Sequence, residues 1–193
     1  MFDYLLQWDK KLLLYLNNSG SPNFDGLWIF ITEIKSWTPL FLLFTLLFIL
    51  KFSIKQAIQR IGILALLIFT IMGLCNIVKI GVGRLRPCND EAVNPMLRIL
   101  INPSDFSFFS GHASSSFAIT VLVYLLLKDK VKWAGIFFIW PLLFSYSRLY
   151  LGVHYPSDIF VGAVVGTVLA WLFYRGFIRL FHSTQSKPIS NGQ

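Results

Sequence analysis

Residues 147–158 read Ser-Arg-Leu-Tyr-Leu-Gly-Val-His-Tyr-Pro-Ser-Asp, and they place ionisable side chains between two apolar segments. Arg148, His154 and Asp158 are the groups concerned. Charged side chains at the edge of a hydrocarbon layer are costly to desolvate, so their presence there indicates a function. The Tyr-Pro pair predicts a helix start, because proline fits the first helical position and disfavours helix in the residue before it. We therefore expect His154 just outside a helix and Asp158 in its first turn.

The position of Asp158 has two interpretations. An acidic residue in a first helical turn can simply complement the helix dipole. The histidine four residues earlier favours a chemical role. A carboxylate can bond one ring nitrogen, fix the tautomer and leave the other nitrogen as a nucleophile or base.

The composition indicates an integral membrane protein. Of 193 residues, 55% are hydrophobic, 17% are aromatic and only 13% are charged, which leaves too few polar side chains to cover a soluble globule. The net charge is +8. Because many of the cations lie beside apolar runs, this charge fits anionic lipid headgroups better than nucleic acid. Cys75 and Cys88 show neither zinc spacing nor a disulfide framework.

Five apolar segments are candidates for membrane spans. The most secure is residues 61–78, which carry no charge over a length close to the roughly 20 residues needed to cross a bilayer core. The others are residues 39–50, 113–127, 133–147 and 159–174. Two amphipathic pieces, residues 2–17 and 24–34, precede them and are predicted to be helices at the membrane interface. Whether the second piece continues into the first span as one helix is left open.

The sequence therefore predicts an all-α polytopic transmembrane helical bundle with five spans, or alternatively six, and amphipathic N-terminal interfacial helices. Residues 1–181 form a single domain in this prediction. Residues 182–193 are polar, and we expect them to form a disordered cytoplasmic tail.

The distribution of cations predicts the orientation. Basic residues cluster in the connections at one end of the predicted spans, which the positive-inside rule assigns to the cytoplasm. They are Lys51, Lys55, Arg60, Lys128, Lys130, Lys132, Arg175, Arg179 and Lys187. The opposite ends carry Lys79, Arg86, His112, Arg148 and His154. These groups lie on the side that the rule disfavours, so we expect them to serve chemistry at the outer face.

A second group of polar residues surrounds His112. Ser110 is predicted to be an N-cap, so the free backbone amides of a helix start would form an anion site there. Gly111 allows close approach of the backbone. A short Ser-Gly-His sequence is weak by itself, and His112 taken alone is also explained as a hydrogen-bonded structural histidine.

A third group, residues 79–87, supplies cations at the end of a span. Lys79 and Arg84 could simply snorkel toward the headgroups. Arg86 precedes Pro87 and offers a forked donor matched to phosphate oxygens. A metal site built from His112, His154 and Asp158 is disfavoured, because the neighbouring cations would repel a divalent metal.

Taken together and in this order, these residues resemble the type 2 phosphatidic acid phosphatase superfamily, which shares its site with acid phosphatases and vanadium haloperoxidases. The family motifs are Lys-x6-Arg-Pro, Pro-Ser-Gly-His and Ser-Arg-x5-His-x3-Asp. Lys79 to Pro87 matches the first fully, and Ser147 to Asp158 matches the third fully. The second is matched at residues 110–112, with Phe109 in place of the proline.

The resemblance implies a mechanism without cofactor or metal. His154 would attack phosphorus and form a phosphohistidine, Asp158 would orient it, and His112 would act as acid and then as base. The phosphate would be bound by Lys79, Arg86, Ser110, Gly111 and Arg148.

The resemblance also implies a bacterial inner-membrane enzyme whose site faces the periplasm or cell exterior. Its substrate would be a membrane lipid phosphate, with undecaprenyl pyrophosphate favoured over phosphatidylglycerophosphate, phosphatidic acid and lipid A phosphates. No nucleic acid or protein partner is implied. The alternative function is a non-catalytic lipid-phosphate binding or transport protein, which would need the cations but not a nucleophile with its orienting acid. Soluble haloperoxidase-like chemistry is opposed by the apolar spans.

Overall fold

A computed structural model describes residues 2–182, and this part of the chain is helical and contains no strand. The helices are α1 (Phe2–Asn18), α2 (Asp25–Thr32), α3 (Thr38–Lys51), α4 (Ile54–Val82), α5 (Gly111–Leu127), α6 (Ile139–Tyr150) and α7 (Pro156–His182). The all-helical prediction is confirmed for the described residues.

Within residues 2–182, three helical stretches are long and apolar enough to cross a membrane: Ile34–Lys51, Ile54–Asn89 and Pro156–Phe181. Helix α5 is also apolar but has 17 residues, and the 12-residue α6 follows a 3-10 segment, Ala134–Phe138. Each of the five predicted spans thus falls on a helical stretch. The number of crossings, five or six, stays a prediction.

The N-terminal part forms two separate helices before the first long apolar one. Backbone at Glu33 is extended, with φ −77° and ψ 125°, and a 3-10 segment, Ile34–Trp37, leads into α3. Residues 24–50 are therefore not one continuous helix. Helix α1 packs on the site end of the bundle, where the fully buried Leu13 joins Leu149 and Tyr155 in one cluster.

Two predicted boundaries were wrong. Helix α4 begins at Ile54 behind a capping box formed by Ser53 and Gln56, so Lys55 and Arg60 lie in the helix and not in a connection. Helix α7 runs to His182, so the predicted tail loses its first residue to the helix. The rest of that tail, residues 183–193, lies outside the described residues.

Helices α5 and α7 pack closely because α7 presents glycines to the backbone of α5. A Cβ atom on Gly162 would lie 2.7 Å from the Ser110 carbonyl oxygen, and one on Gly166 would lie 2.1 Å from the Ser114 carbonyl oxygen. Spacing small residues four apart lets two helix backbones approach in this way. The packing brings the N-terminal ends of both helices together, at the same end of the bundle.

The opposite end of the bundle carries the described basic residues that the positive-inside rule assigned to the cytoplasm. There the guanidinium of Arg60, near the start of α4, lies 3.6 Å from the ring centroid of Phe52 and 5.5 Å from that of Phe177, late in α7. The start of α4 and the end of α7 are therefore neighbours. The basic residues predicted to be cytoplasmic and the motif residues therefore lie at opposite ends of the bundle.

Candidate active site

The start of α7 is joined to the start of α5 through Asp158. The Tyr155 amide donates to Asp158 Oδ2 at 2.9 Å, which is the cap of a helix whose first residue is Pro156. The Ser110 amide donates to the Asp158 carbonyl at 3.1 Å. His154 lies just before the helix and Asp158 in its first turn, as the sequence predicted.

The hydrogen bonds of His154 determine its tautomer. Arg86 Nη1 lies 2.9 Å from His154 Nε2. A guanidinium can only donate, so Nε2 must be the unprotonated nitrogen and Nδ1 must carry the proton. The nitrogen with the lone pair therefore points at the cationic group, which is where a phosphate would be held.

The hydroxyl of Ser107 bridges His154 and Asp158. It lies 3.2 Å from His154 Nδ1 and donates a short hydrogen bond to Asp158 Oδ2. The direct distance between Nδ1 and that carboxylate oxygen is 3.5 Å, too long for a good hydrogen bond. The sequence predicts a direct bond between the carboxylate and the imidazole. In the structure the Ser107 hydroxyl joins these two groups instead, and nothing in the sequence indicated this role of Ser107.

The environment of His154 favours a neutral ring. The side chain is 1% exposed. Burial, followed by the positive charges of Arg86 and Arg148, holds the pKa of His154 well below its usual range. A neutral imidazole with an available lone pair is the form that a nucleophile needs.

Lys79 and Arg86 form a cation pair that we call the cradle. Arg86 is buried, and its Nη1 also donates to the Val153 carbonyl at 2.9 Å. Arg86 Nη2 lies 2.7 Å and Lys79 Nζ 2.5 Å from the two carboxylate oxygens of Asp105. Burial alone would raise the pKa of Asp105, but the hydrogen bond from Lys79 and the charge of Arg86 lower it to about 2.

Arg148 and His112 both contact Thr32, at the end of α2. Arg148 Nη1 donates to the Thr32 hydroxyl at 2.6 Å, and the His112 ring lies close to the Thr32 backbone. The His112 ring also stacks on Phe144, with ring centroids 4.6 Å apart. Arg148 Nε is buried and has no hydrogen-bond partner among the described residues. A buried cation with an unused donor suits an anionic ligand.

Ser110 and Gly111 occupy different places. The Ser110 hydroxyl is fully buried and accepts from the Ala113 amide at 3.3 Å, so it caps α5 as predicted. Gly111 lines a cavity together with Lys79, Asp105 and His112. The structure therefore brings the backbone of the second motif to the cavity, whereas the serine hydroxyl is used inside the helix cap.

Arg84 supports Asp158 from its other side. Its Nη1 lies 2.7 Å from Asp158 Oδ1, and its Nη2 lies 2.8 Å from Asp9 Oδ2 on α1. Snorkelling, one of the readings left open above, does not describe this residue. Arginine two positions before the motif arginine was the available signal, but nothing in the sequence linked it to an aspartate 74 positions away.

An apolar groove between helices adjoins the cavity. The polar cavity and the groove each measure 310 Å³, and both are lined by Ile34, Met72, Ser115 and Phe144. Beyond these shared residues, the groove is lined mainly by apolar side chains of α3 and α4. Within residues 2–182, no group of three histidine, cysteine, aspartate or glutamate side chains is placed to hold a metal ion.

Comparison with known proteins gives a consistent assignment. The family model of the PAP2 superfamily matches residues 60–181. The chain is 34% identical to a lipid A 4'-phosphatase of Bacteroides thetaiotaomicron, over 90% of this chain and 79% of that protein. It is 32% identical to an undecaprenyl-diphosphatase of Sulfolobus acidocaldarius, over 84% and 75% of the two chains.

Two solved structures share the fold. The transmembrane PAP2 type phosphatidylglycerolphosphate phosphatase from Bacillus subtilis superposes with a TM-score of 0.72 at 20% identity, covering 96% of this chain and 89% of that one. Aquifex aeolicus LpxE superposes with a TM-score of 0.67 at 28% identity, covering 86% and 93%. The resemblance drawn from the three motifs is thus confirmed: the chain belongs to the PAP2 superfamily and is a membrane phosphatase.

Proposed function

We propose that this protein is a metal-independent lipid phosphatase that hydrolyses a lipid phosphate or pyrophosphate through a phosphohistidine, at the outer face of a bacterial inner membrane. The observation that carries the proposal is that the two cavities adjoin and share four lining residues. Lys79 and the imidazole of His112 line one of them, and mainly apolar side chains line the other. A lipid headgroup and tail would occupy them together.

The chemical steps follow from the positions of the nitrogens. His154 Nε2 would form a bond to phosphorus while the bond to the leaving oxygen breaks, and His112 would give that oxygen a proton. Water would then attack phosphorus, the P–N bond would break, and His112 would take the proton from the water. Ser107 and Asp158 hold the Nδ1 proton throughout, which keeps Nε2 aimed at the cradle.

Charge stabilisation would come from fixed cations. Phosphoryl transfer depends mainly on positioning and on neutralising the phosphate oxygens, so Lys79, Arg86 and Arg148 could serve without a metal. The Gly111 amide at the cavity would add a neutral donor. A phosphate contact by the Ser110 hydroxyl would require that side chain to leave its helix cap.

The substrate proposal has two candidates. Undecaprenyl pyrophosphate is the sequence prediction, and a similar relative is named an undecaprenyl-diphosphatase. Two other relatives are named lipid A 4'-phosphatases, so lipid A 4'-phosphate stands beside it. Both would place a phosphate at the cradle and hydrocarbon in the groove.

The test is phosphate release from a panel of lipids in detergent with EDTA present. The panel contains undecaprenyl pyrophosphate, lipid A, phosphatidylglycerophosphate and phosphatidic acid. We expect release in EDTA, and at least about a 10³-fold loss of kcat in His154→Ala. His182→Ala, which changes the third histidine of the chain, is the matched control. Full activity in His154→Ala would show that His154 is not the nucleophile. Activity that EDTA abolishes and added metal restores would contradict the metal-free mechanism.

Orientation needs its own measurement. Lys128 and Glu91 are exposed at opposite ends of the bundle, and the natural Cys75 and Cys88 are buried. In intact cells, a membrane-impermeant thiol reagent should label Glu91→Cys and spare Lys128→Cys. The reverse pattern would place the site on the cytoplasmic side.

A further inference from the structure

The carboxylate of Asp105 accepts hydrogen bonds from Lys79 and Arg86, the two cations of the cradle, as a phosphate group would. Arg86 donates to the same carboxylate oxygen from Nε at 3.0 Å and from Nη2 at 2.7 Å, while Lys79 binds the other oxygen. Carboxylate and phosphate groups match the forked guanidinium donor equally well. In this structure the side chain of Asp105 therefore takes up the donors that the proposed mechanism assigns to substrate.

We propose that Asp105 is a tethered anion which substrate phosphate must displace from Lys79 and Arg86, and that it thereby selects phosphate groups carrying more than one negative charge. The inference rests on the proposed function, because it concerns the same cations. It adds a specificity-determining residue that lies outside the three motifs.

Exposure shows which partner can move. The Asp105 side chain is 55% exposed, whereas that of Arg86 is 4% exposed. Arg86 is also held by the Val153 carbonyl and by His154. Asp105 lies in the connection between α4 and α5, so its carboxylate can turn toward water without uncovering the core. The cation stays in place and the anion is replaceable.

Charge explains the selectivity. A phosphodiester carries one negative charge, the same as the aspartate, so exchanging one for the other gains no Coulomb energy at two cations. A phosphate monoester or a terminal diphosphate carries close to two charges and gains from the exchange. Ordinary phospholipids are phosphodiesters and surround the protein in a bilayer. The tethered carboxylate would keep their headgroups out of the cradle.

Acid is not the trigger for this exchange. With its pKa lowered to about 2, Asp105 is ionised at neutral and mildly acidic pH. Release therefore depends on a competing anion. If the carboxylate fills the cradle in nine molecules of ten, the apparent dissociation constant of phosphate is about tenfold weaker than the intrinsic one.

The experiment compares wild type with Asp105→Asn, which keeps the shape and removes the charge. Inorganic phosphate is titrated against thermal unfolding, and phosphatidylglycerol is tested as an inhibitor of lipid phosphate hydrolysis. We expect phosphate to bind about tenfold more tightly, KM to fall by a similar factor with kcat within about twofold, and phosphatidylglycerol to become a stronger inhibitor. The matched control is Asp25→Asn. Asp25 forms an ion pair with Arg98 at a distance of 2.8 Å, and this pair includes neither residue of the cradle.

Two results would overturn the inference. Unchanged phosphate affinity would show that the carboxylate does not compete. Weaker phosphate binding together with a large loss of kcat would show that Asp105 holds Arg86 in place for catalysis. The phosphate titration does not require turnover, so tighter phosphate binding without any lipid hydrolysis would leave the inference standing and defeat the proposed function instead.

Discussion

The contact between α5 and α7 and the groove beside α3 and α4 are built in opposite ways. On the first, Gly162 and Gly166 bring the backbones so close that a Cβ atom would meet a carbonyl oxygen. On the second, apolar side chains leave a groove of 310 Å³. The tight contact carries the ends that present Ser110, His112, His154 and Asp158, while the loose one is lined mainly by apolar side chains.

Under the proposed function, the two regions have different tasks. Nucleophile and acid must be held within a few tenths of an ångström, which calls for elements that cannot slide. A lipid tail has many conformations and needs volume more than shape. Changes in the tight contact should therefore damage the fold and kcat, and changes in the groove should alter KM for some lipids and spare others.

The largest effect is expected from Gly166→Ala. The added methyl would lie 2.1 Å from the Ser114 carbonyl oxygen, so the helices must separate. We expect a loss of at least about 3 kcal/mol in unfolding free energy, measured by thermal unfolding in detergent, and no measurable phosphatase activity. Gly73→Ala on α4 is the control, because a Cβ there meets nothing within 4 Å and should be neutral or mildly stabilising. Equal behaviour of the two variants would show that the close approach is not needed.

Ser107→Ala should break the relay between His154 and Asp158 and leave the fold intact. Without the hydroxyl, the Nδ1 proton has no good acceptor and the ring can turn, so kcat should fall about 10²-fold with KM little changed. The control is Ser116→Ala, another fully buried serine whose hydroxyl only donates to the Ala113 carbonyl of its own helix. A kcat of Ser107→Ala within twofold of wild type would show that Asp158 orients the ring unaided.

The sequence predicted the starts of α5 and α7 better than it predicted the contacts that support them. Each motif residue lies near a helix end, where proline, serine and glycine give local signals, so the starts of α5 and α7 could be predicted from neighbours in the chain. Ser107, Thr32 and Asp9 act across long sequence separations and have no local signature.

The close contact of α5 and α7 shows the same limit. Gly162 and Gly166 are evident in the sequence, but their importance depends on which helix packs against them. That information is absent from a single amphipathic pattern. The predicted connection before α4 was too long, because the capping box at Ser53 starts the helix before Lys55 and the charge of Lys55 does not prevent helix there.

Acid should weaken the tight region before it affects the groove. The pKa of His154 is lower in the folded protein than its ordinary value of about 6.5, so the unfolded chain binds the extra proton first. The contribution of His154 to stability should be complete above about pH 6.5 and fall below it by up to about 1.4 kcal/mol per pH unit. Unfolding midpoints between pH 7 and 5 measure this loss, and His154→Asn should reduce it. An identical slope in that variant would assign the acid sensitivity to other groups.

The smallest effect, and the most selective, is expected from filling the groove. Leu64 lines it, and Leu64→Trp would remove volume that a hydrocarbon chain needs while leaving the cradle untouched. We expect KM for a long-chain lipid phosphate to rise about three- to tenfold, and KM for a short-chain soluble phosphate to stay within twofold, since one to two kcal/mol is typical of overpacking. Leu66→Trp on the same helix is the control, because Leu66 is 54% exposed on the outer surface. An equal rise in KM for both chain lengths would show that the substitution affects the cradle and that the groove does not bind the lipid tail.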